Sequence, residues 1–207
     1  MIQRGALIVI SGFSGAGKGT LVKRIVKDCA DVSLSISMTT RKPRDGEVDG
    51  KDYFFVTKEQ FEAAIEEQSF IEYASYVGNY YGTPKKYVEE QLSAGRDVIL
   101  EIEAQGALQV KGRFPDAVLV FVTPPSAKML NDRLVSRGTE SAEVVSNRMK
   151  RAFEEADFIN RYDYLLVNDD LDKCTDELKN LIEAFHHAPH CNEVFIDKLK
   201  EDLKAYK

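Results

Sequence analysis

The chain has no excess of positive charge. Its 207 residues carry a formal net charge of −6 at pH 7, and the sequence pI is about 5.2. This balance excludes a global positive field that would hold nucleic acid, so any anionic ligand must be bound by local clusters of Arg and Lys. We therefore expect no nucleic-acid partner.

The chain is also poor in cysteine and lacks a long hydrophobic run ahead of its first glycine-rich segment. Cys29, Cys174 and Cys191 are widely spaced and form no C-x-x-C pair, which argues against a disulfide framework or a four-cysteine zinc site and favours a reduced, cytosolic protein. The apolar run 6–10 is too short for a signal peptide or a membrane span. Neither a targeting segment nor a membrane partner is expected.

Short apolar runs predict an α/β domain. With 43% hydrophobic residues the chain can bury one substantial core, and a single domain with insertions is the natural expectation. Continuous runs are typical of strands buried on both faces of a parallel sheet, and segments of helical periodicity separate them. The predicted strands are 6–10, 98–102, 117–122 and 164–167. A hairpin-like region is expected around 52–56, and a short amphipathic helix in the tail.

The segment SGFSGAGKGT, residues 11–20, follows the first predicted strand and precedes a predicted helix. Gly12, Gly17 and Lys18 satisfy the phosphate-loop pattern G-x-x-x-x-G-K-[ST], but Gly19 stands where the hydroxyl residue belongs, and the hydroxyl moves to Thr20. Backbone N–H groups and the positive helix end form an anion nest, and the lysine reaches the β- and γ-phosphates. We predict that the loop cradles ATP and leaves the metal to other groups. The predicted loop residues are Gly12, Phe13, Ser14, Gly15, Ala16, Gly17, Lys18, Gly19 and Thr20.

A second phosphate site is predicted in the insertion after the first helix. Arg41 and Arg44 lie three apart around a proline, and two guanidinium groups that converge suit a phosphate monoester. Tyr53 and Tyr81 can add hydroxyl donors. None of the asparagines is followed by lysine, so the Asn-Lys-x-Asp segment of a GTPase is absent and kinases of small molecules remain.

The chain resembles the guanylate kinase family. The segments SGFSGAGKG, TTRKPRDGEVDGKDY, FIEY, GNYYGT, RLVSRGTES and LVNDDLD are similar to successive motifs of that family, in order, from about residue 7 to 185. The resemblance implies transfer of the γ-phosphoryl group of ATP to GMP in purine metabolism, with Mg²⁺ bound with ATP. The implied partners are therefore ATP and GMP, in the cytoplasm, and the sequence leaves a homo-oligomer open.

Motif alignment also implies roles for individual residues. A carboxylate at Glu72 can accept hydrogen bonds from guanine N1–H and from its exocyclic amine, whereas adenine would leave that carboxylate unpaired. The GMP phosphate would be held by Arg41, Arg44, Tyr53 and Tyr81, and guanine would be read by Ser37, Glu72, Thr83 and Glu101. The implied catalytic cations are Lys18, Arg41 and the lid arginines Arg133, Arg137 and Arg148, and Asn168 would contact adenine.

One segment departs from the family pattern. The family usually has Asp-x-Asp where this chain has Glu101-Ile-Glu103, so each acid is one methylene longer. Alternation along a strand would put both carboxylates on one face. We expect Glu103 to take part in GMP binding and to contact the magnesium ion through water.

The resemblance implies one guanylate kinase-like domain over about 5–185, built on a P-loop kinase core with a central parallel β-sheet flanked by helices. The core comprises 1–34, 98–125 and 161–187. A mixed α/β GMP-binding region spans 35–97, a helical lid 126–160 and a tail 188–207. The cluster HHAPHC, 186–191, is expected to be a solvated linker rather than a metal site.

Two other functions stay open on the sequence. The ending Gly19-Thr20 matches the G-K-G-T of adenylate-kinase-like loops, which favours AMP as the acceptor, but the arginine, tyrosine and Glu72 motifs argue against it. Related modules also serve as protein-binding domains without catalysis. Such modules generally lack a working phosphate loop and part of the lid, whereas Lys18 and the lid arginines are present here.

Overall fold

The computed structural model describes residues 4–76, 78–136 and 141–206. The strands in this part of the chain are β1 (Leu7–Gly12), β2 (Val32–Leu34), β3 (Met38–Thr39), β4 (Phe54–Phe55), β5 (Phe70–Tyr76), β6 (Asn79–Pro84), β7 (Asp97–Glu101), β8 (Val118–Thr123) and β9 (Tyr164–Val167). The α-helices are α1 (Lys18–Asp28), α2 (Lys58–Glu66), α3 (Lys85–Ser93), α4 (Ala104–Arg113), α5 (Ala127–Ser136), α6 (Ala142–Ala156), α7 (Leu171–His186) and α8 (Glu193–Leu203). No helix among these residues is long and apolar enough to cross a membrane.

A five-stranded sheet in the order β2-β7-β1-β8-β9 forms the centre of the molecule, and all of its strand pairs are parallel. β1 is the middle strand, with Ile10 opposite Glu101 on one side and Gly12 opposite Val122 on the other. The four predicted strands are confirmed to within two residues at either end, and β2 is a fifth that the sequence did not reveal. The predicted α/β class is confirmed.

Helices cover both faces of this sheet. Ile8 and Ile10 of β1 point to one face and pack with residues of α1 and α7, whereas Leu7 and Val9 point to the other and pack with residues of α3 and α4. Alternate side chains of one strand are therefore buried in two separate clusters. This is why β1 is a continuous apolar run rather than an alternating one.

A second sheet, in the order β4-β3-β6-β5, is built from the segment between β2 and β7. β5 and β6 pair antiparallel, β6 pairs antiparallel with β3, and β3 pairs parallel with β4. The hairpin expected around 52–56 is therefore wrong. Phe54 instead pairs with Met38, far back in the chain, because two-residue strands gain their partners from tertiary contacts rather than from a local turn.

The segment predicted to be a lid contains α5 and α6. Leu130 and Leu134 of α5 pack with Val145 and Ala152 of α6, and Phe13 of the phosphate loop packs against this cluster. The two helices are therefore joined to each other and to the loop by an apolar contact. Arg137 lies outside the described residues.

The tail forms a helix as predicted. Val194, Phe195, Leu199 and Leu203 of α8 are all at least 46% exposed, and none of the residues of α8 is buried. The expectation of a solvated histidine linker is wrong for His186, which ends α7 and places Nε2 2.9 Å from Oδ1 of the buried Asp97. Within the described residues, no group of three or more potential metal ligands is found.

The carboxylate of Asp97 is expected to stabilise the fold. Its Oδ1 accepts a 2.7 Å hydrogen bond from the buried backbone N–H of Ala6, the residue immediately before β1. Asp97→Ala leaves this buried N–H group without an acceptor, so the substitution should lower the free energy of unfolding by about 1 to 3 kcal/mol. Urea unfolding measures the change, with the exposed Asp116→Ala as the control, expected within about 0.5 kcal/mol of wild type. Equal losses in the two variants would contradict this role.

Candidate phosphate-binding cleft

The phosphate loop connects β1 to α1 through a tight turn, in which the backbone N–H of Ala16 donates to the carbonyl oxygen of Phe13. Gly17 is the N-cap of α1 with φ of 91°, a conformation that L-residues with a side chain rarely adopt. At Gly12, a Cβ atom would lie 2.0 Å from the carbonyl oxygen of Val122 in β8, so only glycine lets β1 end this close to its neighbour. The loop residues predicted from the sequence thus form one backbone turn at the start of a helix.

Lys18 reaches across this turn. Its Nζ donates to the carbonyl oxygens of Gly12 at 2.6 Å and Phe13 at 3.1 Å. The ammonium group therefore lies over the nest that the loop backbone forms, where an anion would also be attracted by the N-terminal end of α1. Thr20 is exposed on α1.

The side chains of Asn168 and Arg133 both donate hydrogen bonds to the phosphate loop, at the carbonyl oxygen of Ala16. The side-chain amide of the buried Asn168 donates to the carbonyl of Ala16 at 2.8 Å, and a Cβ at Gly17 would lie 2.4 Å from its Nδ2. Arg133 of α5 donates to the carbonyls of Asn168 at 2.9 Å and Ala16 at 3.4 Å. The amide nitrogen of Asn168 is thus used by the loop, and its contact with adenine stays a prediction.

Two further arginines come from α6. Arg148 donates to Oγ of Ser14 in the loop at 3.1 Å. Arg151 bonds the carboxylate of Glu103 at 2.5 Å and pairs with Glu155 at 3.3 Å. Burial raises the pKa of Glu155, while Arg151 and Lys18 oppose this rise. The helix that carries the predicted lid arginine therefore reaches both the loop and the start of α4.

The predicted arginine site lies on the second sheet. Arg41 forms a two-pronged pair with Glu47, at 2.8 and 2.9 Å, and its guanidinium carbon lies 5.4 Å from the ring centre of Tyr53. The pair with Arg41 holds the pKa of Glu47 below its ordinary value, and Glu47 and, to a smaller extent, Tyr81 raise the pKa of the Arg41 guanidinium. Arg41, Tyr53 and Tyr81 are thus brought together.

Two other predicted residues border this site. Arg44 contributes its backbone N–H to Glu47 at 2.7 Å, and its side chain is exposed. Ser37 is half-buried, and its carbonyl accepts from the backbone N–H of Phe54. Both residues therefore lie in the loop and strand segments that carry Arg41.

Glu72 is a buried carboxylate on β5, only 6% exposed. Its Oε1 accepts a 2.7 Å hydrogen bond from Oγ1 of Thr83 on the neighbouring strand β6. Burial raises the pKa of the Glu72 carboxyl, and the bonds from Thr83 and the charge of Arg113 lower it in part. A buried acid with a single side-chain donor has acceptor capacity left for a ligand.

The two acids of the Glu-Ile-Glu segment do not share a strand. β7 ends at Glu101, and Glu103 is the N-cap of α4, so the expected strand alternation between them is wrong. Glu101 lies at the cleft, where partial burial raises its pKa and Lys18 and Lys23 lower it. Glu103 is bound instead by Arg151.

The sequence did not predict a role for three charged side chains at this site, those of Glu47, Arg151 and Glu155. Glu47 could have been found, because it is an acid inside a basic loop, six residues after the arginine that it holds. Arg151 and Glu155 lie four apart on one helix, which predicts an ordinary surface pair. Only the tertiary structure brings that pair to Glu103 and Lys18.

Comparison with known proteins points to one family. A family model described as Guanylate kinase matches residues 4–185. The chain is 53% identical over 184 residues to a guanylate kinase of Oceanobacillus iheyensis, covering 89% of each chain. It is 53% identical over 187 residues to one of Lactococcus lactis, covering 90% of this chain and 91% of the relative. The crystal structure of guanylate kinase from Anaplasma phagocytophilum has a TM-score of 0.72 at 30% identity, covering 91% of this chain and 89% of that one.

The buried charge of Glu72 should cost stability at neutral pH. Because its pKa is raised in the folded state, the stability it contributes is present at low pH and is lost as the pH rises through that pKa. Glu72→Gln, which does not ionise, should therefore increase the free energy of unfolding at about pH 7, and the gain should shrink towards about pH 5. Urea unfolding at both values measures this.

The exposed Glu66→Gln on α2 is the matched control and should show no such trend. A Glu72→Gln variant that is less stable than wild type at both pH values would mean that the carboxylate is needed for packing, and would contradict the assigned cause.

Proposed function

Because the chain belongs to the guanylate kinase family, we propose that its cleft is divided into an ATP side on the phosphate loop and a GMP side on the second sheet. The protein is a nucleoside monophosphate kinase that transfers the γ-phosphoryl group of ATP to GMP, giving ADP and GDP. The division of the chain into core, GMP-binding region, lid and tail, its cytoplasmic location and its oligomeric state stay predictions.

On the ATP side, the backbone N–H groups of residues 12–20 cradle the phosphates and Lys18 neutralises their charge. Phosphoryl transfer needs positioning and charge neutralisation more than covalent chemistry. Arg133 positions the loop by donating to the carbonyl oxygens of Ala16 and Asn168. Arg148 and, by motif resemblance, Arg137 are the other proposed lid arginines. When bound with ATP, Mg²⁺ would supply further charge neutralisation at the phosphates. The oxygen-only side chains of Glu101 and Glu103 beside the cleft suit that ion.

On the GMP side, the observation that carries the proposal is the buried carboxylate of Glu72 paired with Thr83. The Thr83 hydroxyl fixes one oxygen, so the carboxylate can accept from N1–H and the amine of guanine. Adenine has no proton on N1 and would leave a buried carboxylate unpaired, which disfavours AMP. The residues proposed to bind the GMP phosphate are Arg41, Arg44, Tyr53 and Tyr81. Ser37 is proposed to contact the guanine base.

The acceptor needs no general base, because the attacking group is already an anionic phosphate. Arg41 is held in position by Glu47 before substrate binds, so little side-chain entropy is lost when the phosphate arrives. Closure of α5 and α6 over the loop would exclude water, which otherwise competes as the acceptor.

A coupled assay of ADP release tests the function directly. ATP with GMP should give turnover, ATP with AMP should give little, and ATP alone should give a background rate. Turnover that depends on AMP would replace the proposed acceptor. No turnover with either nucleotide would favour a non-catalytic binding module.

Lys18→Met should lower kcat by about 10²- to 10³-fold, because one charge-stabilising donor is lost from the transferred group. GMP affinity, measured by calorimetry, should stay near the wild-type value, since the lysine belongs to the ATP side. Lys27→Met, exposed near the end of α1, is the control and should leave both quantities unchanged. A collapse of GMP affinity in Lys18→Met would refute the two-sided division.

Glu72→Gln should weaken GMP binding by about 10²-fold or more while the affinity for an ATP analogue changes little, because the amide cannot accept from both guanine donors. Calorimetric titrations with each nucleotide measure the two affinities separately. Glu66→Gln again serves as the control. Equal losses for GMP and for the ATP analogue would assign Glu72 a structural role instead.

A further inference from the structure

β5 carries one residue more than its partner β6 near the start of their pairing. Phe70 of β5 lies opposite Pro84. Tyr73 lies opposite Gly82, and the register shifts between these two pairs. Two residues of β5 therefore oppose one residue of β6, which is the arrangement of a β-bulge. The second of these two residues is Glu72, the buried carboxylate on which the proposed choice of GMP depends.

The bulge changes which side chains of β5 share a face of the sheet. Along a regular strand, residues 70 and 72 would point to one face and residues 71 and 73 to the other. Here Phe70 and Tyr73 both lie against Phe61 of α2, with ring centres 4.4 and 6.5 Å from that of Phe61. The α2 side of β5 is therefore filled by residues 70 and 73, which leaves residues 71 and 72 for the opposite side.

Ile71 and Glu72 both face α4. Ile71 is buried in the apolar cluster that contains Ala107 and Val110 of that helix. A Cβ atom at Gly106 would lie 3.1 Å from Oε2 of Glu72, so the lack of a side chain there leaves room for the carboxylate. Gly106 lies in the first turn of α4, whose positive end favours a nearby anion. The bulge thus places Glu72 against α4 instead of α2.

The other end of α4 holds the bulge. Arg113 is the last residue of α4, and its Nη1 donates to the backbone carbonyl oxygens of Phe70 at 2.8 Å and Ile71 at 2.7 Å. These are the two residues before Glu72. Pro84, opposite Phe70, has no N–H group to donate across the sheet. One guanidinium group therefore serves both carbonyls at the bulge and ties the strand to the helix that the carboxylate faces.

The charge of Arg113 also acts on the carboxylate. Burial raises the pKa of the Glu72 carboxyl, and the bonds from Thr83 and the positive charge of Arg113 lower it in part. Arg113 is thus linked to Glu72 twice, through the backbone of β5 and through its charge. Motif resemblance gave this arginine no role.

We propose that Arg113 is a positioning residue for the choice of the nucleotide acceptor, because it holds the bulge of β5 and so aims the carboxylate of Glu72 at the guanine base of GMP. Arg113 acts through Glu72 and does not itself touch the substrate. A displaced carboxylate cannot accept from both guanine donors, so affinity for GMP and selectivity against AMP should fall together. The proposal deepens the GMP side of the proposed function and rests on it.

Arg113→Met removes the donors and keeps an apolar chain of similar length. GMP affinity, measured by calorimetry, should fall by about 10-fold, which is less than the roughly 10²-fold that a misplacement of about 1 Å can cost. The affinity for a non-hydrolysable ATP analogue should stay at the wild-type value. In steady-state kinetics, the ratio of kcat/KM for GMP to kcat/KM for AMP should fall with the GMP affinity.

Two further substitutions frame this result. Arg113→Lys keeps a donor and the charge but lacks the planar fork, so it should recover part of the lost GMP affinity. Arg96→Met makes the same change at an exposed arginine just before β7 and is the matched control. Its affinities for both nucleotides should equal those of wild type.

The double variant Arg113→Met/Glu72→Gln distinguishes positioning from general support of the fold. If Arg113 acts through Glu72, adding Arg113→Met to Glu72→Gln should change GMP affinity by no more than about twofold. Losses that multiply in full would mean that Arg113 supports GMP binding by another route, and would overturn the proposal.

Gly106→Ala is an independent arm that leaves Arg113 and β5 unchanged. Its added Cβ atom presses on the Glu72 carboxylate and on Ile102. GMP affinity should fall by about threefold or more, while the affinity for the ATP analogue stays the same. Wild-type GMP affinity in this variant would show that the place of the carboxylate against α4 does not matter, which contradicts the proposal.

The remaining contrary results are distinct. Equal losses for GMP and for the ATP analogue in Arg113→Met, including a variant that does not fold, would assign Arg113 a structural role and overturn the proposal. Unchanged GMP affinity in Arg113→Met overturns it as well. If Glu72→Gln itself leaves GMP binding unchanged, the proposed GMP side fails instead, which separates the two failures.

Discussion

The parallel pairing of β1 with β7 on one side and β8 on the other is the constraint on which the cleft depends. Carboxyl ends of parallel strands meet at one edge of a sheet, so the loop after Gly12, the carboxylate of Glu101 and the segment that leads from β8 into α5 all emerge together. Burial of β1 on both faces fixes its register, because a one-residue slip would exchange the two apolar clusters. The phosphate nest and the acid beside it are therefore positioned by the core rather than by the loop alone.

The polar groups of the cleft are mostly held by the protein itself. Arg41 is paired with Glu47, Lys18 with loop carbonyls, and Asn168 with the carbonyl of Ala16. Such pairing keeps side chains near the geometry that a phosphate requires, so binding costs less ordering. Glu72 shows the opposite balance, since burial raises the pKa of its carboxyl group and its charge costs stability. In the role proposed for it, this cost is offset by the ability to distinguish guanine from adenine.

The central sheet could be predicted because its strands are continuous apolar runs, and the loop because a strand, glycines and a lysine occur at fixed spacing. The second sheet could not, since β3 and β4 have only two residues each and pair with segments distant in sequence. Motif resemblance predicted binding roles for Arg41, Tyr53, Tyr81, Glu72 and Thr83, and these roles stay predictions. The structure brings the first three together and pairs the last two. The separation of Glu101 from Glu103 escaped prediction, because β7 already ends at Glu101 and Glu103 is the N-cap residue of α4.

The central claim is that GMP and ATP bind to different sheets of one cleft. Amide chemical-shift mapping with GMP alone tests it most directly, because each backbone N–H reports its own surroundings. The account predicts large shifts for residues 37–56 and 70–84 and small shifts for the loop residues 12–20. Shifts of equal size in the loop and in the second sheet, at GMP concentrations that saturate a single site, would contradict it.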